Sequence, residues 1–303
     1  MIINRRSFIK SSSFLLGAML YPGKNMLGSI SHFYFAGIKE IRPNIGIYTE
    51  RGGTIGWFIS DDAVVVIDSQ FPDTVEHFVT ELKAKTDRGI DILFNTHHHG
   101  DHTSGNYYLK DFVKDIVAYE NCVKLQKKFY GKGDKKEKQI YANITFNNEW
   151  QLDLGKEKLK ALHFGNAHTA GDAFLHFQNA NVVHMGDLVF NQAYPYMDRP
   201  AGCMITGSIN YLEKVIPLFD KDTMFIYGHA STDEFVTGSI KDLRTMRDYF
   251  SSLLEFVAKE IKAGKSLAGI QKAENIPGFK NMKERWDGAK NMNLKAAFEE
   301  LNN

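Results

Sequence analysis

The stretch Ile90-Asp91-Ile92-Leu93-Phe94-Asn95-Thr96-His97-His98-His99-Gly100-Asp101-His102 joins an apolar run to a group of metal-binding side chains. Four of these side chains fall within six residues: His97, His99, Asp101 and His102. Imidazole and carboxylate groups together suit zinc or a similar first-row ion. A structural zinc site usually closes its shell with cysteine, but both cysteines of this chain lie far from the group in sequence. The stretch therefore predicts an open, catalytic metal site at the end of a buried strand.

The residues before this group predict strands and one helix. Residues 45–50 and 52–59 are short β-branched and aromatic runs, which predict strands. Val64–Ile67 is continuously apolar, as expected of a strand buried on both faces. Residues 73–85 carry apolar side chains at helical spacing, and Ile90–Asn95 forms the next predicted strand. Because open α/β sheets place active sites beyond the carboxyl ends of their strands, we expect the metal-binding group at such an edge.

The residues after the group predict a second strand-rich half followed by helices. We expect residues 107–140 to be largely helical, with a basic, solvated end. Short apolar runs then predict strands at residues 144–146, 150–152, 159–164, 173–177 and 182–185. Near the carboxyl terminus, one apolar stripe at helical spacing is formed by Met246, Phe250, Leu254, Val257 and Ile261. Two strand-rich halves with flanking helices indicate an α/β protein.

The spacing His97-x-His99-x-Asp101-His102 resembles the signature of the metallo-β-lactamase superfamily. Three later positions extend this resemblance in the expected order: His168, Asp187 and His229. The resemblance covers about residues 40–240. It implies a four-layer αββα sandwich, in which two sheets pack face to face between outer helices. We assign residues 32–303 to this one hydrolase domain with C-terminal helices.

The resemblance also implies how the side chains divide between two metal ions. The first ion is expected to bind His97, His99 and His168. The second ion is expected to bind Asp101, His102 and His229. Asp187 is expected to bridge the two ions, and Asp101 is expected to act as the catalytic residue. We expect two zinc ions per chain, and a metal-bound hydroxide that attacks a carbonyl-type bond, since a bound ion lowers the pKa of water to about 7.

Two of these positions narrow the expected reaction. A bridging aspartate such as Asp187 is more typical of glyoxalase II, lactonases and other binuclear hydrolases than of zinc β-lactamases. His99 stands where flavodiiron proteins carry an acid, which argues against a di-iron oxygen reductase. We therefore expect a small-molecule substrate that is a thioester, a lactone or a β-lactam, in that order. The alternatives are a single-iron oxidoreductase similar to persulfide dioxygenases, a nuclease, and a binding protein that has lost activity.

Composition and charge limit the partners. The chain has 303 residues, of which 43% are hydrophobic and 24% are charged, as in ordinary globular proteins. Its net charge of +1 argues against a general nucleic-acid binder and disfavours the nuclease alternative. No uninterrupted apolar run reaches the length of about 18 residues expected of a membrane-spanning helix. The sequence does not indicate an oligomeric state.

The amino-terminal residues resemble a twin-arginine export signal. Arg5-Arg6-Ser7-Phe8-Ile9-Lys10 is followed by a short apolar stretch at residues 14–20. Such segments are addresses that do not form part of the folded domain. We assign residues 1–31 to this signal and expect the mature protein in the bacterial periplasm. Cleavage would remove four basic residues and no acid, so the net charge would fall from +1 to −3. The alternative is an uncleaved helix that anchors the protein.

Several other residues allow two interpretations each. Asp68, at the end of a predicted strand, either orients a ligand histidine or caps a turn. His98 is expected to point away from the metals. Arg199 either binds a substrate carboxylate or forms a salt bridge, and the salt bridge is favoured. Five aromatic residues either line the pocket or pack in the core: Trp57, Phe71, Tyr107, Tyr194 and Tyr196.

Overall fold

The structure is a computed structural model that describes residues 37–302, apart from the side chains of residues 134 and 135. The predicted signal segment, residues 1–31, lies outside the described residues. Within residues 37–302, no helix combines the length and the apolar character that crossing a membrane requires.

The first sheet contains seven strands that lie side by side in chain order. They are β1 (Gly37–Arg42), β2 (Ile45–Thr49), β3 (Ile55–Ile59), β4 (Val64–Ile67), β5 (Ile90–Asn95), β6 (Val113–Tyr119) and β7 (Ile144–Phe146). Strands β1 to β4 pair antiparallel, and β4 to β7 pair in parallel. The predicted two-sided burial of β4 is confirmed. Val65 and Ile67 pack against the other sheet, while Val64 and Val66 pack against the first helix.

The second sheet contains six strands in the spatial order β15-β13-β11-β10-β9-β8. They are β8 (Glu149–Asp153), β9 (Lys158–Leu162), β10 (Phe174–Phe177), β11 (Val182–His184), β13 (Met224–Ile226) and β15 (Thr237–Gly238). The strands predicted between residues 144 and 185 are therefore confirmed, with small differences at their ends. Two further short strands, β12 (Phe190–Asn191) and β14 (His229–Ala230), pair in parallel beside the sheets.

Helices cover the outer face of each sheet. The α-helices of the described residues are α1 (Pro72–Lys83), α2 (Gly100–Thr103), α3 (Asn106–Leu109), α4 (Glu120–Tyr130), α5 (Ile205–Val215), α6 (Ile240–Lys262), α7 (Leu267–Ile270) and α8 (Ala289–Leu301). Helix α1 packs on the first sheet, and α5, α6 and α8 pack on the second. A separate apolar core joins the sheets, where Phe58 and Phe177 lie 5.7 Å apart between ring centroids. The predicted α/β fold, a four-layer αββα sandwich, is confirmed.

One prediction was wrong in part: helix α4 and a 3-10 helix at residues 133–138 agree with the helical segment, but a strand interrupts it. The sequence predicts mostly helix at residues 107–140, but the structure contains strand β6 there, between α3 and α4. Lys114 and Asp115 interrupt the apolar pattern near the start of β6, as charged residues interrupt an amphipathic helix. Parallel pairing with β5 on one side and β7 on the other stabilises the strand. These partners are distant in sequence, so local periodicity does not reveal them.

The carboxyl-terminal stripe is confirmed as the buried face of α6. Met246, Phe250 and Val257 are at most 4% exposed and pack against α5 and α8. The helix begins at a cap in which the Ser239 backbone amide donates to Asp242 Oδ2 at 2.8 Å. Such caps satisfy backbone groups at a helix start and fix where it begins.

Candidate metal centre

Three imidazole rings converge beyond the carboxyl end of β5. His97 and His99 follow this strand directly, and His168 lies in the loop between β9 and β10. His97 Nε2 and His168 Nε2 each lie 3.0 Å from His99 Nδ1. All three residues are buried. These rings, which we call the first triad, form a donor set for one cation.

A second group of three side chains lies beside the first triad. Asp101 and His102 belong to the short helix α2, and His229 begins β14. Asp101 Oδ2 lies 2.9 Å from His229 Nε2 and 3.7 Å from His102 Nε2. These side chains, which we call the second triad, form a separate donor set. The sheets thus bring together residues that are more than 120 positions apart in sequence.

Asp187 contacts both triads. It lies on the turn after β11 and its carboxylate is 3% exposed. Its Oδ2 is 3.8 Å from His97 Nε2 and 3.5 Å from His168 Nε2 in the first triad. Toward the second triad, Oδ1 is 3.2 Å from His102 Nε2, and Oδ2 is 3.5 Å from His229 Nε2. The carboxylate therefore stands where a group shared by two cations would stand.

The spacing of these donor atoms suits a tetrahedral ion. Two donors that each lie about 2.0–2.1 Å from a tetrahedral zinc ion are about 3.3 Å apart. The contacts within the triads and to Asp187 fall between 2.9 and 3.8 Å. His102 Nε2 and Asp187 Oδ1 are buried without any hydrogen-bond partner, although they are only 3.2 Å apart. Because buried polar atoms normally have a partner, these orphaned atoms fit the binding of a divalent cation.

Electrostatics at the two triads agree with metal binding. Burial lowers the pKa of His97 and lowers that of His168 to about 3, so both rings are neutral, as metal ligands must be. Burial also acts to lower the pKa of His102, but the carboxylates of Asp187 and Asp101 outweigh it and raise this pKa well above its usual value. The carboxylates therefore favour a positive charge at this point, which a metal ion supplies.

Asp68 contacts His102 directly and is linked to His97 through Thr96. Its side chain is fully buried at the end of β4, and its Oδ2 lies 2.7 Å from His102 Nδ1. Thr96 donates to Asp68 through both its backbone amide and its hydroxyl, each at 2.8 Å. The Thr96 hydroxyl also lies 3.0 Å from His97 Nδ1. Of the two interpretations of Asp68, the structure supports the one in which it orients a histidine and leaves His102 Nε2 free.

The sequence did not indicate the partners of His99 and His168, the two residues of the first triad that Asp68 does not reach. Asp198 Oδ2 lies 2.9 Å from His99 Nε2, and the backbone oxygen of Tyr196 lies 3.1 Å from His168 Nδ1. Both partners belong to the loop between β12 and α5. Asp198 is a lone acid in the stretch Tyr194-Pro195-Tyr196-Met197-Asp198, and that isolation is the signal that could have found it.

Two glycines allow the backbone to approach the centre closely. A Cβ atom on Gly228 would lie 2.0 Å from Asp187 Oδ1. A Cβ atom on Gly53 would lie 2.2 Å from His102 Cε1. Real Cβ contacts are not this short, so any side chain at either position would displace a group of the centre.

His98 lies outside both triads. Its ring is 1% exposed and packs near Phe129 and Tyr130, with centroid distances of 5.4 and 6.2 Å. Both ring nitrogens are buried without a hydrogen-bond partner, and Nε2 is 4.0 Å from Asp198 Oδ2. His98 thus contributes no atom to either triad, but with His99 and Asp198 it forms a third group of possible metal ligands.

The structure also places Arg199 and three of the five aromatic residues. Tyr196 lines the cleft and is 41% exposed. Trp57 and Tyr194 are core residues, exposed by 2% and 3%. Arg199 forms the favoured salt bridge, because its Nη1 lies 2.8 Å from Glu300 Oε2.

A cleft of about 410 Å³ opens over the two triads, within the size range of small-molecule sites. Asp101, Asp187 and His229 line its floor. The remaining lining includes side chains that the sequence did not suggest, namely Tyr130, Phe190, Arg285 and Trp286. The last two come from the segment between α7 and α8, far from the metal-binding motif in sequence.

Comparison with known proteins gives the family. Residues 48–234, more than half of the chain, match the profile described as the metallo-beta-lactamase superfamily. The type 2 metallo-beta-lactamase of Elizabethkingia meningoseptica is 23% identical over 161 residues, which cover 50% of this chain and 61% of that protein. The hydroxyacylglutathione hydrolase of Dictyostelium discoideum is 28% identical over 172 residues, which cover 55% of this chain and 58% of that protein. The chain thus spans about three fifths of the length of these relatives.

A solved structure shows the same fold. The metallo-beta-lactamase from Pontibacter korlensis superposes with a TM-score of 0.61 at 16% identity, covering 71% of this chain and 98% of that one. At this identity the likeness concerns the fold alone, and it agrees with the two sheets and outer helices described above. The profile match over residues 48–234, the fold and the metal-binding cluster together show that this chain belongs to the metallo-beta-lactamase superfamily.

Proposed function

We propose that the protein is a binuclear zinc hydrolase that acts on a carbonyl-type bond of a small molecule. The observation that carries this proposal is the position of Asp187. Its two carboxylate oxygens lie within 3.8 Å of ring nitrogens from both triads. A carboxylate shared in this way is the natural bridge between two cations. Two complete triads, one on each side of it, support two ions rather than one.

The residues of the chain suit this chemistry. When bound, a divalent ion lowers the pKa of water to about 7 and polarises a carbonyl oxygen. Asp101 and Asp187 bring two negative charges, so a centre with two divalent ions keeps a net positive charge that favours an anionic transition state. Asp101, which lines the cleft and is less buried than Asp187, is our candidate for the catalytic carboxylate.

The proposed substrates are a thioester, a lactone and a β-lactam, in that order of preference. One relative is called a hydroxyacylglutathione hydrolase and another a type 2 metallo-beta-lactamase, so two of these classes correspond to names of related proteins. The position of Asp187 between the triads favours the thioester and lactone classes, because a bridging aspartate is more typical of glyoxalase II and lactonases than of zinc β-lactamases.

The test combines metal analysis with a substrate panel. The folded protein is analysed for zinc, iron and manganese, and is then assayed with aryl thioesters, lactones and a chromogenic cephalosporin. We expect two zinc ions per chain and hydrolysis of a thioester or a lactone. One iron per chain, with oxygen uptake in the presence of a persulfide, would replace this proposal by the oxidoreductase alternative.

We also propose that residues 1–31 direct export to the periplasm through the twin-arginine pathway. The support is the Arg5-Arg6 pair followed by Phe8, Lys10 and an apolar stretch. Replacing both arginines by lysine is expected to leave folded, metal-loaded protein in the cytoplasm and to abolish the periplasmic fraction. The same fractionation of the unchanged chain is the control, and an equal periplasmic fraction for both would refute the assignment.

A further inference from the structure

A short carboxyl-terminal segment forms part of the wall of the metal cleft. Residues 283–286 lie between α7 and α8, outside the region that matches the superfamily profile. The Lys283 backbone fixes this segment, because its amide donates to Gln192 O and its oxygen accepts from the Tyr194 amide, both at 3.0 Å. The segment is therefore attached to the loop that follows β12, beside the centre. We call residues 283–286 the strap.

The strap places a positively charged side chain, that of Arg285, in the metal cleft. Arg285 Nη1 donates to the backbone oxygen of Ala230, the residue that follows His229. The Arg285 residue is exposed, and it lines the cleft together with Asp101 and His229. Within residues 37–302 its guanidinium forms no ion pair with a carboxylate, although Asp233 is close enough to interact with it electrostatically. The donors that are not bound to Ala230 remain available to a ligand. A guanidinium presents its donors as a planar fork that matches a carboxylate.

The strap also brings an aromatic surface. Trp286 and Tyr196 lie 5.9 Å apart between ring centroids, inclined by 65°, and both line the metal cleft. Tyr196 is 41% exposed, so a large part of its ring is open to a ligand in the cleft. Its ring centroid is 5.5 Å from that of His99 in the first triad. An apolar group of a ligand could therefore rest on these rings while its reacting bond faces the metals.

Arg285 lies between the metal cleft and a second cleft, and the charges of the two clefts show where a bound anion would be favoured. This second cleft, of about 460 Å³, shares His229 and Arg285 with the metal cleft. Its lining includes the acids Glu50 and Asp233, which would repel an anion. The metal side contains two carboxylates as well, but the proposed ions compensate them. An anionic group is therefore favoured on the metal side of Arg285.

We propose that the strap selects the substrate: Arg285 binds a carboxylate on the substrate, and Trp286 with Tyr196 binds an apolar or aromatic part of the same molecule. This inference rests on the proposed hydrolase function and makes it more specific. The favoured substrate is an anionic thioester with an aromatic acyl group. Arg285 is a residue for binding and specificity here, and it takes no part in bond cleavage.

The test uses a pair of aryl-acyl thioesters that differ only in a carboxylate or a primary amide at the distal end. In the zinc-loaded protein, Arg285→Gln is expected to lower kcat/KM for the carboxylate substrate by about 10- to 100-fold, the range of a charge-assisted hydrogen bond. The amide substrate is expected to change by less than about threefold on the same reasoning, because its group carries no charge. Lys283→Gln is the control, since it removes a charge from the same strap at an exposed side chain while its backbone contacts remain.

Several outcomes would overturn the inference. These are an equal loss on both substrates in Arg285→Gln, and an equal effect of Lys283→Gln and Arg285→Gln on the carboxylate substrate. If the unchanged protein hydrolyses neither thioester, the thioester assignment fails, but recognition of the carboxylate by the strap is still testable. Calorimetric binding of the matching free aryl dicarboxylate and its monoamide then decides. Loss of the preference for the dicarboxylate in Arg285→Gln supports the strap, and an unchanged preference refutes it.

Discussion

Replacing Asp68 by asparagine should weaken one metal site selectively, although Asp68 belongs to neither triad. Its Oδ1 accepts from the Thr96 amide, and its Oδ2 lies 2.7 Å from His102 Nδ1. An asparagine has one acceptor oxygen and one donor group in these two places. The Thr96 amide can only donate, so the oxygen stays there and the amide group turns toward His102. His102 must then accept at Nδ1 and carry its proton on Nε2, the atom that faces Asp187.

The size of the effect follows from this change of tautomer. Partners behind metal-binding histidines typically contribute about 10- to 100-fold to metal affinity or activity. That range corresponds to about 1.4–2.7 kcal/mol. We expect the loss at the second triad, because His97 in the first triad contacts Asp68 only through the Thr96 hydroxyl.

The first assay is a competition titration of zinc against a chromophoric chelator, which resolves two binding steps. The second assay measures the turnover of a thioester or a lactone. Asp198→Asn is the matched control variant, because Asp198 lies behind His99 in the first triad at 2.9 Å. We expect Asp68→Asn to weaken one zinc step and Asp198→Asn to weaken the other. If both variants weaken the same step, or Asp68→Asn binds two zinc ions with unchanged affinity, the tautomer argument is wrong.

The remaining predictions concern Asp187, His98 and the half-buried His176, which lies outside the two triads. Asp187→Asn should lose one or both metals and most turnover, because a neutral amide bridges two cations poorly. Metal analysis after dialysis checks this, and two retained zinc ions would contradict it. His98→Leu should keep the metals of the two triads and lose far less turnover than His97→Ala, because His98 belongs to neither triad. Equal metal loss in both variants would contradict this. Burial lowers the pKa of His176 to about 4, so the unfolded chain binds a proton there before the folded protein does, and stability falls as the pH drops from about 6.5 to 4. His176→Leu should therefore reduce the loss of unfolding free energy between pH 7.5 and 5 by about 1–2 kcal/mol, measured by urea denaturation of both proteins; identical pH dependence would show that His176 makes no contribution.

The fold and the metal-binding residues could largely be predicted from the sequence. Val64–Ile67 and Ile90–Asn95 are dense apolar runs whose burial follows from composition, and both strands have the predicted bounds. His97, His99, Asp101 and His102 are adjacent along the chain, so their spacing alone indicates a shared ion. Local patterns of this kind are informative because one turn of backbone fixes the distances among such side chains.

Other features depend on contacts between segments that are distant in sequence. Strand β6 is stabilised by pairing with β5 and β7, and its own pattern suggested a helix. Asp198 reaches His99 across 99 positions, and the strap places Arg285 beside His229. The sequence by itself indicated an α/β protein and the group His97, His99, Asp101 and His102, since periodicity and motif spacing are local properties. The four layers and the later donors followed only from the resemblance to the superfamily. Only the tertiary structure decided which groups orient those donors and which line the cleft, because packing of the two sheets and the last helices sets these distances.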